Sequence, residues 1–213
     1  MPKRKTSSKA RSKPAAHPLA RAPRFDAMQQ AVRDFLVAAG LDPQEHEGLA
    51  MTPELVARAW AEEFIDGYMT DPREILAERM PAPKGKGREM VALTGLDYQS
   101  ACPHHLLPYG GTAHVAYLPG KDVVGFGQMV QLLDCLGHRL VLQEDLARSV
   151  CDTLMEIVGA RGVGVVLEAN QACLALRGGR RAGSRAIAEA WGGDFADHAE
   201  LRERFLSAIR ARS

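Results

Sequence analysis

Cysteine and histidine side chains of metal-binding type lie close together in the run Ser100-Ala101-Cys102-Pro103-His104-His105. The spacing of Cys102 and His105 lets one turn of backbone direct both side chains at a single point. Zn²⁺ binds thiolate and imidazole in a tetrahedron, and a catalytic site keeps the fourth position for water. A third ligand must come from elsewhere in the chain, and Cys173 is the best candidate. The alternative is a buried cysteine beside a polar loop of histidines.

Other polar residues near these positions suggest proton transfer and ligand recognition. Adjacent side chains diverge, so we expect His104 to move a proton beside the metal, or else to be a surface histidine. Gln143-Glu144 opens a predicted helix, where the Glu either favours the helix dipole or accepts hydrogen bonds from the donor edge of guanine. The turn at residues 177–181 (RGGRR) either holds a phosphate or is a solvated loop.

Composition indicates an ordinary folded domain in a reducing compartment. The 213 residues are 46% hydrophobic but 6% aromatic, so the core must be mainly aliphatic. There is no apolar leader and no run near the roughly 18 apolar residues of a membrane span, which favours a cytosolic protein without a membrane partner. Cysteines there are metal ligands, catalytic groups or core residues. Cys135 and Cys151, on apolar helix faces, are interpreted as core residues, and His114 as a structural residue.

The first 24 residues differ in charge from the rest of the chain. They carry eight Lys and Arg and no acid, which leaves 19 basic against 26 acidic residues, near −7, in the remainder. Few large apolar residues occur there, so residues 1–24 are predicted to be a disordered basic tail before a domain at 25–213. The alternative is a contact with nucleic acid or an acidic partner, which salt would weaken.

Periodicity predicts the elements that must position these side chains. Helices are expected at 27–39, from 52 to about 66, at 128–136, 143–158 and 201–212. Strands are expected at 90–93, 112–118 and 162–169, with 172–176 as the hairpin partner of the last. Helices and antiparallel-looking strand pairs in this order indicate an α+β fold.

The order of motifs in the chain resembles that of the GTP cyclohydrolase I family. From about residue 28 to the C-terminus it reads T-P-x-x-V-A, S-x-C-x-H-H, A-Y-x-P, V-x-G, Q-E and E-A-x-x-x-C-x-x-x-R-G. The resemblance implies a T-fold: an antiparallel sheet with helices on one face, preceded by N-terminal helices at about 26–80. It also implies a barrel-like homo-oligomeric ring, a decamer, with sites at subunit interfaces.

The resemblance also assigns roles to individual positions. It implies that Cys102, His105 and Cys173 bind Zn²⁺ and that His104 is catalytic. The positions that would bind a guanine nucleotide are Ser100, Gln143, Glu144, Arg177 and Arg58, the last keeping a positive charge where the family has Lys. The implied reaction opens the imidazole ring of GTP at C8, releases formate and recloses to 7,8-dihydroneopterin triphosphate, a precursor of tetrahydrofolate.

Several positions depart from the family pattern. Gln171 stands where the family has a second catalytic histidine, and Gln cannot carry a proton at neutral pH. Pro103 replaces a Glu of the family's C-E-H-H motif. Phosphate-facing cations of the family are absent at Leu55, Gln128 and Gln131, and Gly127 replaces a family Ser. Arg180 and Arg181 would be able to compensate. Charge-assisted contacts of this kind contribute roughly 1.5–3 kcal/mol each.

These departures leave three hypotheses. The first is the complete family reaction on GTP. The second is a divergent enzyme that stops at the formamidopyrimidine or takes a less phosphorylated guanine substrate. The third is a catalytically weakened paralogue that binds a ligand or regulates a family partner, although the three metal ligands argue against it.

Overall fold

A four-stranded antiparallel sheet organises the chain in a computed structural model, which describes residues 22–82, 89–177 and 183–211. The spatial order is β2-β3-β5-β6, with a separate short pair β1-β4. The strand bounds are β1 Met80–Pro81, β2 Val91–Ala101, β3 Pro108–Leu118, β4 Asp122–Val123, β5 Gly162–Gln171 and β6 Ala186–Gly193. The predicted antiparallel α+β T-fold is therefore confirmed. The tail predicted at 1–24 lies outside the described residues up to position 21, as does most of the loop predicted at 81–88.

The helices lie before, between and after the strands. Their bounds are α1 Phe25–Ala38, α2 Thr52–Ala59, α3 Pro72–Ile75, α4 Phe126–Gly137, α5 Gln143–Thr153, α6 Ala172–Ala175, α7 Asp194–Asp197 and α8 Ala199–Arg210. Wider π-turns extend α2 through Trp60–Phe64 and α5 through Leu154–Val158, and short 3₁₀ turns occupy Glu47–Leu49 and Asp66–Met69. Within the described residues, no helix combines the length and apolarity needed to cross a membrane.

Alternating side chains divide the sheet into two apolar faces. On one face, Ala113, Val115 and Tyr117 of β3 join alternate residues of β5 and the buried sides of α4 and α5 in the main core. Leu132 and Leu146 represent the two helices there, and each is 1% exposed or less. This arrangement follows from the period-2 pattern of the strands and the amphipathic helices between them. It places α4 and α5 on one face, as expected.

The opposite face carries a smaller cluster that the sequence did not predict. Phe195 of α7 and Phe205 of α8 pack with Trp191 of β6, with ring centroids 6.2–6.3 Å apart. Ala116 and Leu118 of β3 belong to this cluster, because their side chains lie on the sheet face opposite Val115 and Tyr117. The last helix therefore packs on the face opposite α4 and α5, at the end of the sheet where β3 finishes.

A β-bulge interrupts β2 and explains the buried histidine. The β2–β3 register shifts between Leu93 and Leu96, and Gly95 adopts a φ of +72°. A positive φ is accessible to glycine because it has no Cβ. The Gly95 N–H donates to Nδ1 of His114 at 3.2 Å, and His114 is 6% exposed. The structural role predicted for His114 is confirmed, as is core burial of Cys135 and Cys151.

One predicted strand is wrong. The segment expected at 172–176 as a hairpin partner is the short helix α6, and the strand that pairs with β5 is β6. The short apolar run Ala172–Leu176 fits either a strand or a buried helical turn by periodicity alone. Pairing is decided instead by β6, which aligns Ala169 with Ala186 and Gly162 with Gly193.

Candidate functional site

Strand pairing brings the two halves of the predicted metal site to the same end of the sheet. Ala101 at the end of β2 pairs with Pro108 at the start of β3, and Tyr109 pairs with Gln171 at the end of β5. The loop 102–107 and the segment that begins at Ala172 therefore leave the sheet side by side. We call this the site end, and the opposite end, at Leu118 and Gly162, the far end.

The loop of the site end is a tight turn closed on itself. The N–H of Cys102 donates to the Leu107 carbonyl at 3.0 Å, and the N–H of Leu106 donates to the Cys102 carbonyl at 3.0 Å. Leu106 has a φ of +52°, which is uncommon for a residue with a Cβ and marks a strained turn. The turn buries Cys102, 7% exposed, at the edge of the main core.

The two histidines of this loop are exposed. Their ring centroids are 6.4 Å apart at an interplanar angle of 78°. The different roles expected for His104 and His105 stay a prediction. Both rings are open to solvent in the isolated chain, so both are accessible to a ligand.

Cys173 lies in the first turn of α6 and is half-buried. Cys102 and Cys173 are both free thiols, and with the imidazole of His105 they offer the donor types that Zn²⁺ prefers. In residues 22–82, 89–177 and 183–211, no group of three or more His, Cys, Asp or Glu side chains is gathered closely enough to hold a metal ion. The chemistry of the donor set and the strand ends that carry it fit zinc, and the metal assignment remains a proposal.

Tyr109 connects the loop to the helices, and sequence reasoning did not identify it. Its hydroxyl donates to the Val141 carbonyl at 2.9 Å. Burial raises the pKa of Tyr109 to about 12, against a smaller lowering by the hydroxyl of Ser100. Ser100 is itself fully buried and donates to the Arg139 carbonyl at 3.3 Å. Ser100 was predicted to contact the nucleotide, but its full burial makes it a structural residue behind the site end in this chain. The alternation of β3 was the signal for an inward Tyr109.

The side chain of Gln143 is bonded within the protein. It is 4% exposed and opens α5. Its Nε2 donates to the carbonyls of Leu167 at 2.9 Å and Ala186 at 3.0 Å, and its Oε1 accepts from Nε2 of Gln171 at 2.7 Å. The structure thus brings two predicted site residues, Gln143 and Gln171, into direct contact.

The remaining predicted contacts are solvent-accessible. Glu144 is exposed in the first turn of α5, beside Gln143. Arg177 is exposed just after α6, at the site end. Arg58 on α2 is exposed and forms an ion pair with Glu54 at 3.1 Å, one turn away. A surface pair of this kind contributes little stability, so Arg58 is available to a ligand.

One position predicted to lack a phosphate contact has a structural role. Gln128 accepts from the Gly125 N–H at 2.8 Å and donates from Nε2 to the carbonyls of Ile75 at 2.7 Å and Glu78 at 2.8 Å. It therefore fastens the start of α4 to the segment after α3. Gln131 is exposed, and the compensating Arg180 and Arg181 lie outside the described residues.

A family model described as GTP cyclohydrolase I matches residues 28–210. The protein named GTP cyclohydrolase 1 of Chromobacterium violaceum is 40% identical over 196 residues, covering 90% of this chain and 92% of that protein. The protein of the same name in Campylobacter lari is 39% identical and covers 86% of this chain and 94% of its own length. Among solved structures, the archaeosine synthase QueF-Like in the apo form gives a TM-score of 0.40 at 19% identity, covering 51% of this chain and 97% of that one.

The antiparallel sheet with α4 and α5 packed on one face defines a T-fold domain. The extent and identity of the sequence matches then fix the family. This chain belongs to the GTP cyclohydrolase I family.

Proposed function

We propose that this protein hydrolyses the imidazole ring of GTP and forms 7,8-dihydroneopterin triphosphate and formate, a step that supplies tetrahydrofolate biosynthesis in the cytoplasm. The observation that carries the proposal is the meeting of both cysteine-bearing segments at one end of a sheet in a chain of this family. Ring opening consumes one water, loss of formate consumes a second, and closure of the pterin ring returns one.

Within this proposal, Cys102, His105 and Cys173 hold Zn²⁺. The metal supplies Lewis acidity that makes water a sufficient nucleophile towards a weak electrophile such as C8. His104 is exposed beside these ligands and delivers a proton to the ring nitrogen as the bond from C8 breaks.

Recognition of the nucleotide is assigned to Glu144, Arg177 and Arg58. Glu144, in the first turn of α5, would accept hydrogen bonds from the N1–H and 2-amino group of guanine. Arg177 and Arg58 are exposed and would contact phosphate oxygens. Ser100 supports this arrangement from the buried side.

We further propose that the chain works as a homo-oligomeric ring, a decamer, with its sites at subunit interfaces. Apolar side chains are exposed next to the site end: Leu106 is 51%, Leu174 39% and Leu176 76% exposed in the isolated chain. Their exposure supports a site that a neighbouring copy completes, since contiguous exposed apolar groups mark interaction surfaces. Mass measurement of the native oligomer with zinc retained would test both copy number and metal content.

A second candidate function is favoured by Gln171. Its carboxamide donates to Gln143 and has no titratable proton, so it supports an enzyme that stops after ring opening, at the formamidopyrimidine. Incubation of pure protein with GTP, GMP and guanosine, with products separated by mass, distinguishes the two. Conversion of GTP to the pterin at ordinary enzyme rates would exclude the arrested version, and accumulation of the formamidopyrimidine would exclude the complete one. Absence of turnover together with absence of stoichiometric zinc would exclude both and favour the regulatory paralogue.

A further inference from the structure

The hydrogen-bond chain through Gln143 and Gln171 has a fixed direction. Both N–H groups of the Gln143 carboxamide are used, one on the Leu167 carbonyl and one on the Ala186 carbonyl. Rotating this amide by half a turn would set its oxygen against two carbonyl oxygens, so the observed orientation is imposed by the backbone of β5 and β6. The Gln143 oxygen must therefore accept a hydrogen bond from its neighbour.

Gln171 meets that requirement. Its Nε2 donates to Oε1 of Gln143 at 2.7 Å, a short hydrogen bond for a neutral amide pair. Donation in this direction also fixes the Gln171 amide, and among the described residues its Oε1 has no hydrogen-bond partner. Gln171 is half-buried, so that oxygen is a neutral acceptor left over at the site end.

The chain of amides joins the two elements that carry the predicted ligands. Gln143 is the first residue of α5 and precedes Glu144, while Gln171 is the last residue of β5 and lies two positions before Cys173. The Gln143 side chain also reaches Ala186 at the start of β6. One side chain therefore ties the first turn of α5 to both strands at the site end.

We infer that Gln171 is a positioning residue: through Gln143 it sets the first turn of α5, and thereby Glu144, relative to the end of β5. In this role it serves substrate binding and does not exchange a proton with the substrate. The kinetic part of this inference rests on the proposed function, whereas the coupling between the two glutamines does not.

Substitutions that remove donors while keeping side-chain length test the inference. In Q171M and Q143M, the KM for GTP is expected to rise about tenfold, the scale of one buried hydrogen bond left unmade, with kcat within about threefold of the wild type. The Q171M/Q143M double variant is expected to be no worse than Q143M, because Gln171 acts through Gln143. Q171H keeps a ring N–H that can donate to Gln143, so its KM should lie close to that of the wild type. Q171E has the same shape as Gln171 but lacks the donor when ionised, so its KM should be raised as in Q171M. Q30M, which removes a surface hydrogen bond to Asp34 on α1, is the matched control and should leave both constants unchanged.

Equilibrium unfolding in urea gives a second readout that needs no turnover. The unfolding equilibrium constants of Q171M, Q143M and the double variant should show coupling. The effect of the double variant should differ about fivefold from the product of the two single effects. A fall in kcat of about 100-fold or more for Q171M with unchanged KM, additive with Q143M, would show that Gln171 acts on the reacting atoms and would overturn the inference. Additive unfolding of the two variants would overturn it as well. If the wild type converts no GTP but the unfolding coupling is present, the proposed function fails while the amide chain stands.

Discussion

The two ends of the sheet differ in how completely this chain covers them. At the far end, Phe195, Phe205 and Trp191 close over Leu118, and both phenylalanines are fully buried. At the site end, the histidines and three leucines remain open to solvent. The far end is therefore buried by side chains of the same chain. The site end keeps both polar and apolar side chains accessible to a ligand or a partner. Substitutions at the two ends should consequently change different quantities.

The largest effect is expected from the proposed metal ligands. We predict that C102A loses bound zinc and that kcat/KM for GTP falls on the order of 10³-fold or more, because the metal supplies several kcal/mol of transition-state stabilisation. Metal analysis and turnover measure the two losses. The matched control is C151A, which removes a fully buried thiol. Burial raises the pKa of the Cys151 thiol to about 11. It should keep its zinc, and full zinc content in C102A would refute the ligand assignment.

At the far end the effect should fall on stability. F205A removes a fully buried ring that contacts Phe195 and Trp191, and the cavity should lower the free energy of unfolding by about 3–5 kcal/mol. Urea denaturation measures this change, and kcat per folded protein should stay near the wild-type value. A large fall in kcat of the folded variant would mean that the two ends are coupled.

A smaller effect is expected from Asp134, a partly buried carboxylate on α4 near Asp66 of the 3₁₀ turn Asp66–Met69. Burial raises the pKa of Asp134, with a lowering from His138 and a further raising from Asp66. A folded-state pKa above the unfolded value stabilises the protein at low pH, and that stabilisation is lost as pH rises through the folded value. D134N should therefore be more stable than the wild type at neutral pH, by less than about 1 kcal/mol.

Thermal or urea unfolding across a pH series checks this sign. The advantage of D134N should disappear below about pH 4, where Asp134 is protonated in both folded and unfolded states. An advantage that grew on acidification would show that Asp134 is stabilising as a carboxylate, through His138. The hydrogen bond between Nδ1 of His138 and Oδ1 of Asp66, at 2.9 Å, is left intact by the substitution.

The smallest change in chain stability is expected at the site end. Leu176 is 76% exposed, so L176S should alter the free energy of unfolding of the single chain by no more than about 0.5 kcal/mol. L176S removes an apolar side chain from the site end, as F205A does from the far end. If a second copy covers Leu176, the variant should instead dissociate more readily on dilution, as measured by sedimentation. A loss of chain stability similar to that of F205A would remove the contrast between the ends.

Much of this site was predictable from residue types and order. The run around Cys102 and His105 indicated zinc, and the ordered motifs indicated the family, which the matches confirm. The helices α4 and α5 were predicted within a few residues because their apolar positions repeat at helical spacing. The strand expected at 172–176 failed because a short apolar run does not distinguish a strand from a helical turn.

The sequence by itself determined the family, the fold class and the absence of a titrating group at Gln171. Side-chain chemistry and periodicity are local properties, so the chain alone specifies them. Only the tertiary structure decided that Gln171 bonds to Gln143 and that Gln128 is a structural residue. These contacts join residues 28 and 53 positions apart, and strand register and helix placement bring them together. Sequence spacing does not predict these contacts, because they depend on how the strands and helices pack in the folded chain.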